Sequence, residues 1–242
     1  MIKAENLTMI YGKDFKAVDS LSFEIHPGEI VGFAGPNGAG KTTVIKMLTG
    51  ILKPASGRAF INGHDIVEDS LEAKKSFAYV ADNPDVLLQL TGMEYLNYIA
   101  DLYGMDRNER KERILSLADR FNISDSLGLP MRDCSHGMRQ KLMVISALIH
   151  EPPAWILDEP MTGLDPGAAF ELKQMMKEHA KRGNAVLFST HVLEVAEKLC
   201  DRIIIINHGR ELYEGSIEEL MNRYPQLDLE AIFIKITGAK NE

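Results

Sequence analysis

Eight consecutive residues, Gly35, Pro36, Asn37, Gly38, Ala39, Gly40, Lys41 and Thr42, fit the pattern G-x-x-x-x-G-K-[ST], a spacing suited to holding a polyphosphate. The three glycines let backbone N–H groups turn inward and approach phosphate oxygens that a Cβ would keep away. Lys41 can reach the terminal phosphates, and the Thr42 hydroxyl can ligate Mg²⁺. Thr43 leads into an apolar run of helical spacing, Val44 to Leu48, whose N-terminus attracts anions. More than a hundred residues later, Ile156-Leu157-Asp158-Glu159-Pro160 sets two adjacent carboxylates behind an apolar stretch. Asp158 suits Mg²⁺ held through water, because a hard dication in such sites keeps several waters and takes few carboxylates. Glu159 is then free to orient or deprotonate an attacking water. His191 follows Phe188-Ser189-Thr190; a lone histidine there is either structural or a hydrogen-bond donor that polarises a γ-phosphate. The predicted chemistry is hydrolysis of a nucleoside triphosphate, with Lys41, Glu159 and His191 catalytic and Thr42 and Asp158 on the metal.

These residues need a scaffold that brings distant segments together. Glu29 to Ala34 reads as a buried strand feeding the glycine-rich loop, and Leu21 to Ile25 as an edge strand before it. Ala154 to Leu157, Ala185 to Phe188 and Ile203 to Ile206 are near-continuous apolar runs, as in strands buried on both faces of a mainly parallel sheet. Phe77 to Val80 adds a strand that stops at Asp82-Asn83-Pro84. The segment Phe170 to Arg182 has the length and pattern of a crossover helix. Ligands collect at the carboxyl ends of strands in such sheets, which is where Asp158, Glu159 and His191 fall. Between Met93 and Ile149 apolar residues recur at helical spacing, so residues 85–134 read as a helical insertion splitting a core of 1–84 and 135–242. Within it Met93, Tyr95 and Tyr98 form either a partner-binding stripe or core.

Composition narrows the class. The chain has 242 residues, 45% hydrophobic and 26% charged, as in an ordinary globular protein. A net charge of −8 argues against nonspecific nucleic-acid binding, and no nucleic-acid partner is expected. Cys134 and Cys200 form no C-x-x-C pair, so neither a disulfide framework nor a zinc site is expected. No secretory signal opens the sequence, and the longest apolar runs fall short of the roughly 20 residues a membrane helix needs. A cytoplasmic location is expected, and any membrane span must come from another chain.

The order of motifs is itself informative. The loop at Gly35 to Thr42, SHGMRQK at Ser135 to Lys141, ILDEP at Ile156 to Pro160, GLDP at Gly163 to Pro166 and STH at Ser189 to His191 resemble the nucleotide-binding domain of ATP-binding cassette transporters. The resemblance covers nearly the whole chain. It implies an α/β fold with a RecA-like, mainly parallel core, an N-terminal antiparallel β subdomain and a helical insertion. It also implies ATP and Mg²⁺ as ligands, Tyr11 as the aromatic stacking on adenine, and a second ATPase subunit. Ser135 and Gly137 match the signature residues that bind the γ-phosphate of ATP held by the opposite subunit. That signature departs from the usual LSGGQ, with Cys134, His136 and Met138 replacing leucine, the first glycine and glutamine. His136 is either a further donor to phosphate or a solvent-facing residue. Asp82 stands where the family carries a glutamine contacting Mg²⁺ and the membrane partner, and Asp165 matches the loop passing between subunits. Leu90 to Leu96 and the tail Leu229 to Gly238 resemble ATPase subunits of bacterial two-component exporters, whose permease is separate.

The resulting expectation is an ATPase on the inner face of the membrane, sandwiching Mg-ATP between two subunits and powering a permease, with export the favoured direction. Two alternatives stay open: a cassette ATPase acting on ribosomes or DNA, and a weakly hydrolysing regulatory subunit.

Overall fold

The computed structural model describes residues 1–238. Strands β1 (Ile2–Tyr11), β2 (Phe15–Ile25), β4 (Ser56–Ile61) and β5 (His64–Asp65) form an antiparallel sheet in the order β2-β1-β4-β5. A second sheet, ordered β10-β9-β3-β8-β7-β6, is built from β3 (Ile30–Ala34), β6 (Phe77–Val80), β7 (Ala154–Leu157), β8 (Ala185–Thr190), β9 (Arg202–Asn207) and β10 (Arg210–Ser216). Its strands are parallel except β10, which runs antiparallel along the edge. The apolar runs of β3, β7 and β8 are buried along their full length, the consequence of covering both faces.

One face carries the antiparallel sheet and α1 (Lys41–Leu48), whose Val44, Ile45, Met47 and Leu48 pack with Leu7, Phe23, Phe33 and Leu187. The other face carries α3 (Gly92–Leu102), α4 (Arg107–Arg120), α5 (His136–Leu148) and α6 (Pro166–Lys181), packed on Val80, Trp155 and Phe188. A third core joins α7 (Leu193–Leu199), α8 (Ile217–Arg223) and α9 (Leu229–Thr237) to Ile203 and Ile205 of β9. A short helix, α2 (Ser70–Lys75), precedes β6. The fold is the α/β arrangement expected, with its antiparallel portion and its helices on the parallel sheet.

Several elements exceed the expectation. β1 and β4 were not legible because register shifts interrupt their pairing and with it the alternation of apolar and polar residues. β10 is a polar edge strand with a single buried residue, Tyr213, so it carries no apolar run. Of the stripe on α3, Tyr95 is core and donates to or accepts from Ser146 at 2.9 Å, whereas Tyr98 is exposed.

Candidate functional site

The parallel register decides which segments meet. Ala34 pairs with Thr190 and Leu157 with Phe188, so the loop after β3, the carboxylates after β7 and His191 after β8 all emerge at adjacent strand ends. The loop turns back on itself through Gly38 at φ 77° and Gly40 at φ 107°. At Gly40 a Cβ would lie 2.7 Å from the Ala17 carbonyl, and at Gly35 2.5 Å from that of Ile206, so both glycines are needed for close backbone approach. Lys41 Nζ donates to the Gly35 carbonyl at 2.6 Å and to that of Pro36 at 3.3 Å, bending the loop around the ammonium. Asn37 and Gly38 face solvent, Ala39 is buried, and Thr42 and Thr43 open α1. Burial lowers the Lys41 pKa, and the carboxylates of Glu159 and Asp158 offset part of that.

Asp158 is 1% exposed, and burial raises its pKa above the ordinary carboxylate value. Ser189 and Thr42, both turned to this carboxylate, act in the opposite direction, as does Lys41, while Asp82 adds to the rise. Ser189 is the hinge of the arrangement. Its hydroxyl donates to Asp158 Oδ1 at 2.6 Å and accepts from the Glu159 amide at 2.9 Å. Glu159 sits at φ 47°, a left-handed conformation costing roughly 1–2 kcal/mol in a non-glycine residue. Its carboxylate meets His191 Nδ1 at 2.9 Å, with His191 exposed and Glu159 largely covered. Tyr79 lies beside Asp158 and Asp82: burial foremost, then those two charges, pushes its hydroxyl up to about 12.

Asp158 Oδ2 is buried without a hydrogen bond of ordinary geometry. A lone anionic oxygen next to the Thr42 hydroxyl fits a hard cation, and few carboxylates with much water is what Mg²⁺ favours. Asp82 itself is exposed on the loop after β6. Tyr11 ends β1 opposite Phe15, and both rings are exposed, at 42% and 66%.

The signature residues lie elsewhere. Ser135 caps α5, its Oγ accepting from the Met138 amide at 3.3 Å, which leaves the hydroxyl proton free to donate outward. Cys134 is buried, Met138 packs partly on the core, and His136 is exposed. A Cβ on Gly163 would come within 2.5 Å of the His136 ring, and one on Gly137 within 2.7 Å of the Gly163 carbonyl. Asp165 caps α6 by accepting from the Ala168 amide at 2.9 Å, and pairs with Lys141 at 2.6 Å. Signature and GLDP loop are thus interlocked within one chain. Among the described residues, no hydrogen bond or ion pair joins them to the loop at 35–43. Ser189, Tyr79, Lys141 and Gly163 were not singled out from sequence. Ser189 stands inside the STH motif, but only the strand register shows it reaching β7.

Residues 18–162 match the ABC transporter family. The ABC transporter ATP-binding protein NatA of Bacillus subtilis (strain 168) is 36% identical over 223 residues, covering 92% of this chain and 91% of its own. The solved structure of an ATP-binding subunit of an ABC transporter superposes with a TM-score of 0.92 at 31% identity, over 98% of this chain and 99% of that one. A bacterial ABC transporter cassette solved as a dimer gives 0.82 at 25% identity, over 90% and 99%.

Proposed function

Since the chain belongs to the ABC transporter family, as an ATP-binding subunit of the ATPase type, we propose that it drives a separate membrane permease, in the export direction, by closing and reopening a dimer around two Mg-ATP. The observation carrying this is the split between two half-sites. Lys41, Asp158, Glu159 and His191 converge at the strand ends, whereas Ser135 and Gly137 head a separate helix that, among the described residues, no hydrogen bond or ion pair joins to the glycine-rich loop. A second copy would bring its Ser135 and Gly137 to the ATP held here.

In this reading the loop amides and Lys41 bind the phosphates, Tyr11 stacks on adenine, and Thr42 and Asp158 hold Mg²⁺, with Asp82 at its edge. Bound there, Mg²⁺ would offset phosphate charge. Glu159 orients and deprotonates water, and His191 holds the Glu159 carboxylate in place and donates toward the γ-phosphate. His136 and Met138 belong to the face offered to the other subunit, as does Asp165. No helix among the described residues is long and apolar enough to cross a membrane, which suits a motor bound peripherally to a permease. Export rests on the likeness of Leu90 to Leu96 and of the tail to two-component exporters.

The test is to co-express the chain with the membrane protein encoded beside it, reconstitute the complex in liposomes and measure phosphate release. Turnover that rises with the permease's cargo, moved outward, is expected. Turnover indifferent to the permease, or copurification with ribosomes instead, would overturn the proposal.

A further inference from the structure

Two grooves flank α7, and their net charges are opposite. On one side, between α6 and α7, a groove of about 240 Å³ is lined by Phe170, Lys173, Lys177 and Lys198, with Glu194 of the shared helix as its acidic residue, paired to Lys198. On the other, between α7 and α9, a groove of about 990 Å³ opens at His191 and is walled by Glu194, Glu197, Asp228 and Glu230, with no lysine or arginine in its lining among the described residues. Each has an apolar element at its mouth: Phe170 is 59% exposed and Val192 44%. Among the described residues, Lys173, Lys177, Glu197 and Glu230 make no ion pair.

We propose that these grooves are the two halves of a contact between copies of this chain, the Phe170–Lys177 face of α6 lying in the acidic groove of the other copy. The inference rests on the dimer proposed above. Two features favour a second copy as the occupant. The first is complementarity: a two-fold contact presents the same patch from both sides, so adjacent basic and acidic grooves satisfy each other twice. The second is continuity. Asp165, placed between subunits in the proposed dimer, is followed directly by α6, and Phe170, Lys173, Gln174 and Lys177 recur on one helical face over about 10 Å. The acidic groove begins at His191, which meets the Glu159 carboxylate and which the reading above places at the nucleotide. The face of α6 that leaves one subunit's loop therefore meets the groove that starts at the other's histidine. The contact lies outside the nucleotide and adds attraction that salt would weaken.

A charge swap tests it. In full-length Glu159→Gln protein, which is expected to bind ATP without hydrolysing it, dimer formation with Mg-ATP is followed by sedimentation velocity. Lys173→Glu/Lys177→Glu and Glu197→Lys/Glu230→Lys, each added to that background, are expected to dimerise at least about tenfold more weakly. An equimolar mixture of the two should recover to within about threefold of the parent, as heterodimers identified by native mass spectrometry. Recovery on mixing also shows that both variants are folded. Variants that dimerise like the parent, or a mixture no stronger than either alone, would overturn the contact while leaving the nucleotide sandwich standing. A parent that stays monomeric with ATP would overturn the sandwich reading and this contact with it.

Discussion

Ser189 does more for the site than its small size suggests. A buried hydroxyl that donates to Asp158 and accepts from the Glu159 amide fixes both carboxylates with one side chain. Removing it strands an acceptor and a donor in the interior, each loss costing about 1–3 kcal/mol. Ser189→Ala is therefore expected to lower both the unfolding free energy in urea and the rate of phosphate release. Glu159→Gln keeps the size and the backbone but loses the proposed base, so its phosphate release should fall by roughly 10²–10⁴-fold. Binding of a fluorescent ATP analogue should be unchanged in that variant, and undiminished turnover would remove Glu159 from the reaction. These two residues differ in legibility. Glu159 was plain from its motif, whereas Ser189 acts through a tertiary hydrogen bond that no local pattern announces.

At the level of elements, helix starts and strand ends do most of the positioning. Ser135 serves α5 as its cap through an oxygen lone pair, and in the proposed dimer its proton would be offered to phosphate, so two duties would rest on one hydroxyl. Substitution separates them. Ser135→Ala should cost about 1 kcal/mol of stability by loss of the cap, and ATP-driven dimerisation should weaken as well. Ser135→Asp can still accept from the Met138 amide, so its thermal stability should stay near that of the parent. Its charge would nevertheless face a phosphate, and dimerisation should be lost. Equal stability loss in both variants would count against the capping role. The Gly163 and His136 contact belongs to this scale too: the residue that replaces the usual first glycine of the signature fits because position 163 has no Cβ.

The whole molecule holds buried groups that its function does not use. His179 is 1% exposed and stacked on Trp155 at 4.0 Å between centroids, and burial foremost pushes its pKa down to about 4 from 6.5. The unfolded chain takes up this proton near pH 6.5 while the folded ring stays neutral, so the unfolded state binds more protons between about pH 6.5 and 4. Stability therefore falls as pH drops through that window. His179→Phe keeps a stacked ring without the titration, and its loss of unfolding free energy between pH 7.5 and pH 5 should be smaller by about 2 kcal/mol. An identical pH dependence in the two proteins would refute the assignment. At this scale the division between sequence and structure is clear. Sequence by itself determined the glycine-rich loop, the acidic pair, the histidine and the apolar strands, because a close-turning loop and two-sided burial each demand particular residues at fixed local spacing. It also ordered those motifs well enough to point to a family. Tertiary structure alone decided that β3, β7 and β8 lie side by side, that Ser189 ties Asp158 to Glu159, and that the signature locks onto Gly163 and Asp165. Those contacts join residues dozens of positions apart, and their geometry depends on strand order and register rather than on any local preference.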